Sequence, residues 1–193
     1  GWSTPKVTGS TGADLILISQ LENYERIDVK AGAGNDIVLH TGTDAGISRA
    51  NIDGGDGHDI LMGSHVQGGE GDDLIIGIAY SALEGGSGND VIYGAGTLSG
   101  GEGHDVLVGK GVSFDKLIGG AGNDLMIASS NGASTSFGTM GNDTIIGSSG
   151  GDWVFAGLAV PIGATNGEVY SADLHDNVVY FRTGGGFDSL TLM

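Results

Sequence analysis

Aspartates at a fixed position in a glycine-rich repeat are the side chains of this sequence with the clearest chemical potential. The repeat follows the nine-residue pattern G-G-x-G-x-D-x-U-x, in which U is apolar. Its five full copies place these aspartates at the sixth position: Asp59, Asp73, Asp90, Asp105 and Asp124. Glycine at positions one, two and four permits backbone angles that other residues avoid, so the turn can aim its carbonyl oxygens at one point. The aspartate adds a carboxylate, and a flexible number of oxygen ligands suits a hard cation such as calcium.

The repeat extends beyond its five full copies. Even with 40 glycines among 193 residues, chance would give well under about one full match, so the copies between residues 54 and 127 are true repetition. Degenerate copies on both sides place five more aspartates at the same position: Asp14, Asp36, Asp143, Asp152 and Asp188. The acidic residues are therefore in phase with the repeat, which a merely solubilising acidic surface does not require.

This nonapeptide closely resembles the RTX, or haemolysin-type calcium-binding, repeat. The resemblance implies an all-β chain folded as a right-handed parallel β-roll, or β-helix solenoid, with glycine- and aspartate-rich calcium-binding turns along one edge. It also implies a calcium-dependent structural module of a large secreted or cell-surface protein of bacterial type, such as a toxin, an adhesin, a surface-layer protein or an exoenzyme. Members of the family are typically exported by a type I route, so we expect an extracellular location and folding on calcium binding after export.

The resemblance also implies where the ions bind. Each ion lies between two successive turns, so the seven turns from Asp36 to Asp143 enclose up to about six calcium ions. The most regular sites are expected between consecutive aspartates from Asp59 to Asp124. The flanking sites are less regular, because a long insertion follows Asp36 and Thr139 stands where glycine is usual. The expected metal ligands are Asp36, Gly54, Asp56, Asp59, Gly68, Glu70, Asp73, Gly85, Ser87, Asp90, Gly100, Glu102, Asp105, Gly119, Ala121, Asp124 and Asp143.

Apolar residues form two tracks that indicate how each coil folds. We call the aspartate at the sixth position of each copy a key aspartate. The first track lies two residues after each key aspartate and comprises Ile16, Val38, Leu61, Ile75, Ile92, Leu107, Met126, Ile145 and Val154. The second track lies two residues before each repeat and comprises Val29, Ile52, Val66, Leu83, Leu98 and Leu117. Two short strands per coil, each pointing one side chain into a shared interior, explain both tracks, whereas glycine every few residues argues against helices.

Only one half of each coil obeys the consensus. The intervals between key aspartates from Asp36 to Asp143 are 23, 14, 17, 15, 19 and 19 residues, so we expect a ladder of metal sites on one edge and unlike loops on the other. Two copies are directly consecutive only between residues 138 and 155. A site on the second edge is expected to begin there, at Asp152.

The chain is expected to divide into three parts. Residues 1–30 are a lead-in and a first degenerate coil, residues 31–155 are the calcium-binding β-roll, and residues 156–193 are a C-terminal cap or the start of a following unit. The net charge of −17, from 24 acidic and seven basic residues, argues against nucleic acid and anionic membranes as partners. No stretch is long and apolar enough to span a membrane, and no cysteine is present. The expected partners are calcium, the rest of a larger polypeptide and cell-surface or lattice neighbours.

Other interpretations remain open at this point. Glycine-rich turns with aspartate also form without metal. A polysaccharide-acting β-solenoid enzyme is another alternative, but nucleophile and zinc motifs are absent and the seven cations are dispersed, so we expect no catalytic residues. A third is an adhesive or lattice-forming module, in which aromatic residues could stack on a sugar ring. Those aromatic residues are Tyr80, Tyr93, Phe114 and Phe137.

The five histidines lack a spacing typical of metal ligands. They are His40, His58, His65, His104 and His175. His58 and His104 occupy the fifth position of the repeat, where we expect solvent-facing turn residues.

Overall fold

A computed structural model describes residues 4–19, 26–41, 49–111, 115–129, 134–141, 143–147, 152–155, 160–161, 169–172, 177–180 and 189–192. Every regular element within these residues is a strand. The strands are β1 (Lys6–Thr8), β2 (Leu15–Ile18), β3 (Arg26–Ala33), β4 (Ile37–His40), β5 (Arg49–Asp56), β6 (Ile60–Glu70), β7 (Leu74–Ser87), β8 (Val91–Glu102), β9 (Val106–Gly109), β10 (Asp115–Ala121), β11 (Leu125–Ile127), β12 (Ser134–Met140), β13 (Thr144–Ile146), β14 (Trp153–Phe155), β15 (Val160–Pro161), β16 (Val169–Ala172), β17 (Asn177–Tyr180) and β18 (Ser189–Leu192).

Parallel pairing stacks these strands, coil upon coil, into two ladders. Ladder A contains the residues that follow the key aspartates from Asp14 to Asp143, in the order β2, β4, β6, β7, β8, β9, β11 and β13, and is continued by β17. Ladder B contains the residues before each consensus turn, in the order β1, β3, β5, β6, β7, β8, β10, β12, β14 and β18. Strands β6, β7 and β8 belong to both ladders because each continues around the edge between them. The chain is therefore a parallel β-solenoid, as the sequence predicted.

The core lies between the two ladders and consists of the two predicted tracks. Ladder A contributes Val38, Leu61, Ile75, Ile92, Leu107, Met126 and Ile145, and ladder B contributes Val29, Ile52, Val66, Leu83, Leu98 and Leu117, all of them buried. Ile16, in the first coil, is only partly buried.

One residue of the predicted tracks is in the other ladder. Val154 was expected among the residues that follow a key aspartate on ladder A, but it pairs with Ser136 in ladder B. The reason is that two consecutive repeats advance the chain by one half coil each, so Asp152 begins a strand on the opposite side.

The two edges of the solenoid differ in regularity. At the edge formed by the consensus turns, which we call the consensus edge, Gly55 pairs with Gly69 and Gly69 with Gly86 in unbroken register. At the opposite, irregular edge the register shifts between Gly63 and His65. The variation in coil length is therefore absorbed at the irregular edge, and the consensus turns stay aligned.

Both ends of the chain add strands to the ladders. Strand β1 pairs with β3 and forms a rung of ladder B that the sequence pattern did not predict. Near the C-terminus, β17 continues ladder A from β13, and β18 continues ladder B from β14. Strands β15 and β16 pair with them in the antiparallel sense.

The packing of the core makes a first prediction. Leu98→Ala removes a fully buried side chain and is expected to lower the free energy of unfolding by about 3 kcal/mol. Thr97→Ala changes the exposed neighbour on the same strand and should cost less than about 1 kcal/mol. Urea unfolding of both variants in calcium measures the difference, and equal losses would contradict this assignment of the core.

Candidate metal centre

Glycines close the consensus turns where other residues would be strained. Gly69 and Gly71, at the second and fourth positions of one turn, have φ angles of +125° and +112°, which side-chain-bearing residues rarely adopt. A Cβ on Gly69 would also overlap the carbonyl oxygen of Gly55 in the preceding coil. Thr139 adopts φ = 81° at a second position, and its hydroxyl donates a hydrogen bond to the carbonyl oxygen of Gly120. Successive turns therefore pack backbone against backbone.

The key aspartates are buried in a continuous column along this edge. In each coil Asp Oδ1 accepts a hydrogen bond from the backbone amide of the key aspartate one coil earlier. The pairs, with the amide donor first, are Asp14 and Asp36 (2.7 Å), Asp36 and Asp59 (2.8 Å), Asp59 and Asp73 (2.8 Å), Asp73 and Asp90 (2.9 Å), Asp90 and Asp105 (2.8 Å), Asp105 and Asp124 (2.9 Å), and Asp124 and Asp143 (3.0 Å). One oxygen of each carboxylate is thus satisfied by the protein backbone.

The second oxygen, Oδ2, is buried without a hydrogen-bond partner in Asp36, Asp59, Asp73, Asp90 and Asp105. Asp73 Oδ2 lies beside Gly68, the first residue of its own turn. A Cβ on Gly68 would overlap Asp73 Oδ2 and lie 2.5 Å from the carbonyl oxygen of Gly85 in the next coil. A Cβ on Gly54, Gly85 or Gly100 would meet the equivalent two oxygens of its own site, an aspartate Oδ2 and a carbonyl oxygen of the next coil. The carbonyl oxygen would lie 2.5–2.6 Å from that Cβ. Two acceptor oxygens from successive coils therefore face the same point.

The third-position residues of the predicted ligand set lie differently. Their carbonyl oxygens accept hydrogen bonds from fourth-position glycine amides of the preceding coil, as in Gly57 to Glu70 and Gly71 to Ser87, both 2.7 Å. Their side chains lie on the outside of the turns; Asp56, Glu70 and Glu102 are exposed, and Ser87 and Ala121 are partly buried. The structure thus brings the first and sixth positions together and leaves the third-position side chains outside.

Two of the three remaining predicted turns, those of Asp124 and Asp143, keep part of this arrangement. A Cβ on Gly119 would overlap Asp124 Oδ2, and a Cβ on Gly138 would overlap Asp143 Oδ2. No carbonyl oxygen of a following coil is among the nearest atoms of either glycine. The paired oxygens are therefore most regular from Gly54 to Gly100.

Burial raises the pKa of six of the key aspartates. The pKa rises from an ordinary 3.8 to about 7 for Asp73, Asp105 and Asp143 and to about 6 for Asp90, and it is also raised for Asp59 and Asp124. For Asp73 the main cause of the raised pKa is the loss of hydration; the amide bond from Asp59 opposes it, and the charges of Asp90 and Asp59 add to it. Bringing these carboxylates together in ionised form is thus unfavourable for the chain alone.

The arrangement has the chemistry of a calcium site. The buried Oδ2 atoms and the carbonyl oxygens beside them are both ligand types that calcium takes in a flexible arrangement. Within the ranges that the structure describes, no three Asp, Glu, His or Cys side chains come together as a metal site. Carbonyl oxygens must therefore complete the coordination of a bound ion, as the glycine turns allow.

A second ladder of hydrogen bonds, which sequence reasoning missed, runs along the fifth positions. The amide of each fifth-position residue donates to the side chain one coil earlier: His58 to Asn35 Oδ1 (3.1 Å), Asp72 to His58 Nδ1 (2.7 Å), Asn89 to Asp72 Oδ1 (2.7 Å), His104 to Asn89 Oδ1 (2.9 Å) and Asn123 to His104 Nδ1 (2.8 Å). His58 and His104 are exposed, as predicted. The recurrence of Asn, Asp and His, all short acceptors, at this position is the signal that could have revealed the ladder.

The irregular edge carries aspartates of another kind. Asp115 Oδ1 accepts the amide of Gly96 (2.9 Å) and Oδ2 accepts that of Gly111 (2.8 Å). Asp152 Oδ1 accepts both the amide (3.0 Å) and the hydroxyl (2.7 Å) of Ser134. Register aligns Asp115 with Ser134 one coil on, so Asp152 lies on the second edge, as the sequence predicted. Asp115 was missed, although a glycine four residues earlier and an apolar residue two later match the repeat.

The aromatic residues singled out from the sequence are dispersed. Tyr80 is 62% exposed at the irregular edge, and Tyr93 lies on the outer side of ladder A with the Lys110 ammonium 5.3 Å from its ring centre. Phe137 lies on ladder B and stacks on Phe155 with ring centres 4.7 Å apart. Phe114 and His175 lie outside the described residues.

Aligned glycine turns with stacked carboxylates define this molecule as a parallel β-roll. The family model of the RTX calcium-binding nonapeptide repeat, which itself describes four copies, matches five segments that together make up more than half of the chain. These segments are residues 51–64, 65–77, 82–96, 99–132 and 137–158. The chain therefore belongs to this family. No curated protein matches it. In the described part of the chain no helix is long and apolar enough to cross a membrane.

The raised pKa values predict opposite pH dependences with and without calcium. A carboxyl group with a pKa near 3.8 in the unfolded state and about 7 in the folded state keeps its proton up to a higher pH in the folded state. Without metal, stability should therefore be greatest at low pH and fall as the pH rises from about 4 to 7. With calcium the trend should reverse, because ligands must lose their protons to bind the ion. Circular dichroism of calcium-stripped and calcium-loaded protein between pH 5 and 8 measures both trends, and identical trends would contradict the account.

Proposed function

We propose that this chain is a calcium-dependent structural module of a larger secreted or cell-surface protein, and that it folds when calcium fills its consensus edge. The observation that carries the proposal is the pairing of a buried aspartate Oδ2 with a glycine carbonyl oxygen of the next coil. Two acceptors that face one point need a donor or a cation between them. Calcium meets this need and neutralises the carboxylate charge as well.

The proposed ligands follow from the same geometry. The first-position glycine carbonyls and the sixth-position aspartates of successive turns would hold each ion, with up to about six ions between Asp36 and Asp143. Four sites, between consecutive aspartates from Asp59 to Asp124, have the most regular turns. Calcium supplies positive charge between neighbouring coils, and the chain supplies the buried, aligned oxygens.

Electrostatic energies support folding on calcium binding. Ionised carboxylates about 5 Å apart, near the spacing of adjacent strands, repel by about 3 kcal/mol at an effective dielectric constant of about 20. Several such pairs are comparable with the 5–15 kcal/mol that stabilises a typical domain. At about ten times the dissociation constant each site adds about 1.4 kcal/mol, so six sites add about 8 kcal/mol.

The affinity expected of such sites supports an extracellular location. Extracellular calcium modules bind at about 0.1–1 mM, so their sites are empty in the cytosol and filled outside the cell. The chain would then remain unfolded for type I export and fold on arrival. The absence of cysteine from the sequence agrees with calcium as the staple of an exported chain.

A catalytic role has less support. A shallow groove of about 610 Å³ on the outer side of ladder B is lined by polar residues, among them Lys30, Asp53, Asn51 and Asp28. Lys30 Nζ pairs with Asp53 Oδ2 at 3.0 Å, and Asn51 Nδ2 donates to Asp28 Oδ1 at 2.8 Å. These four polar groups pair with one another, so they give the polysaccharide enzyme considered above less support than the column of aspartates gives the calcium module.

The C-terminal residues fit the role of a cap. Strands β17 and β18 extend both ladders, and the antiparallel strands β16 and β15 lie against them. Antiparallel strands do not continue the parallel stacking of coils, and a solenoid needs its ends covered. We therefore propose that residues 156–193 close the roll.

Two adjacent aspartates provide a matched test of the proposed sites. Asp73→Asn removes a buried carboxylate of the column and should lower the calcium stoichiometry by one or two ions, because this carboxylate lies between neighbouring turns. Asp72→Asn makes the same change in charge on the exposed fifth position, where other copies have asparagine, and should leave the stoichiometry unchanged. Isothermal titration calorimetry compares the two variants.

The same pair separates lost binding from lost folding. Because Asp73→Asn also removes repulsion within the column, it should not destabilise the metal-free chain, which urea unfolding at pH 5 can verify. Equal loss of calcium in both variants would overturn the proposed ligands.

A further inference from the structure

The outer side of ladder A is apolar from β2 to β13. In β2, β4, β6, β7, β8, β9, β11 and β13 the second residue points into the core, and the first and third residues point outward. Of these sixteen outward residues fifteen are Leu, Ile, Val, Met or Tyr; Thr144 is the exception, and none is charged. We call these sixteen residues the apolar face.

The outer side of ladder B shows that the fold itself does not require such a surface. In the same coils its outward residues are mostly polar or charged, as with Asp53, Gln67, Glu84 and Ser99. Both sets of residues flank the same core and alternate with buried side chains in the same way. A solenoid exposed to water on both sides would be polar on both, so the apolar face is built for contact.

The apolar face is large enough for a stable protein interface. Seven of its side chains, including Leu15, Ile60 and Val91, are 37–65% exposed, and the others are partly buried. Together they present on the order of 1,000 Å² of accessible surface, compared with about 800 Å² per partner in an interface of standard size. The largest apolar patch on a typical monomer is about 300–600 Å².

We propose that the apolar face is the interface of a homodimer, in which two copies of this chain pack ladder A against ladder A about a two-fold axis. A flat face of identical rungs is self-complementary, because strands of both copies repeat at about 4.8 Å and facing sheets pack about 10 Å apart. A two-fold axis parallel to the solenoid axis matches rung to rung and places the acidic consensus edge of each copy over the irregular edge of its partner.

Charge argues against an anionic lipid surface as the occupant and does not oppose a second copy at the apolar face itself, which is uncharged. The chain carries a net charge of −17, and the acidic groups that the structure describes lie on the consensus edge, on ladder B and, as Asp115 and Asp152, on the irregular edge. The apolar face is the surface through which two such chains can meet without opposing carboxylates. An anionic lipid surface would instead face the acidic consensus edge at its margin.

Sedimentation equilibrium of the full chain in calcium at neutral pH tests the proposal, after circular dichroism has shown that each sample is folded. The wild-type chain is expected to sediment with twice the chain mass as its concentration rises. The variant I60K/V91K places two charges at the centre of the apolar face and should sediment with the mass of one chain at every concentration. The matched control Q67K/S99K carries the same charges on ladder B of the same two strands and should remain dimeric.

Each other outcome counts against the proposal. A wild-type chain that is folded but monomeric at all concentrations would overturn it, as would a folded I60K/V91K variant that still dimerises or a wild-type chain that forms larger oligomers. Binding of the monomer to lipid vesicles would identify a membrane as the occupant and also overturn it. If I60K/V91K fails to fold, I60T/V91T, which keeps residues suited to strands, is the second variant, and a dimer of unchanged affinity would contradict the proposal. Failure of the wild type to fold in calcium would contradict the proposed function instead.

Discussion

Carboxylates stacked at the spacing of adjacent strands are the constraint on which the rest of this structure depends. From Asp59 to Asp105 each key aspartate accepts, through one oxygen, a hydrogen bond from the backbone amide of the coil before it. Its other oxygen lies near a carbonyl oxygen of the coil after it. The first contact stabilises the solenoid, and the second opposes it in the absence of a cation, because both groups are acceptors. The pKa values of these aspartates are raised, chiefly by burial, which also indicates that the ionised carboxylates are unfavourable in the folded chain without a cation. The fold is therefore coupled to cation binding by its own geometry.

Glycine turns make this stacking geometrically feasible. Turns of one conformation, with positive φ at Gly69 and Gly71 and their equivalents, place each carboxylate at the same height in its coil. Because the irregular edge absorbs insertions, coil length can change without disturbing the column; β7, for example, has four residues between Gly77 and Ala82 where β6 has one between Gly63 and His65. Function at one edge is thus separated from sequence variation at the other.

The sequence predicted those features that repeat with a fixed period. The parallel solenoid, the two buried tracks and the alignment of consensus turns all follow from the spacing of glycine, aspartate and one apolar residue. The features it did not predict depend on relations between coils of different length. Asp115 lies beside Ser134 only because the irregular edge aligns them, and Val154 changes ladder because two repeats are consecutive there. The ligand assignments stay predictions, since spacing alone does not show which oxygens meet.

The central claim is that calcium between the stacked carboxylates stabilises the folded roll. Far-UV circular dichroism of the full chain at neutral pH, recorded in excess chelator and during titration with calcium, tests it most directly. The account predicts a largely unfolded chain in chelator and a cooperative gain of β-structure as calcium reaches millimolar concentration. A complete β-spectrum in chelator that does not change on adding calcium would contradict it.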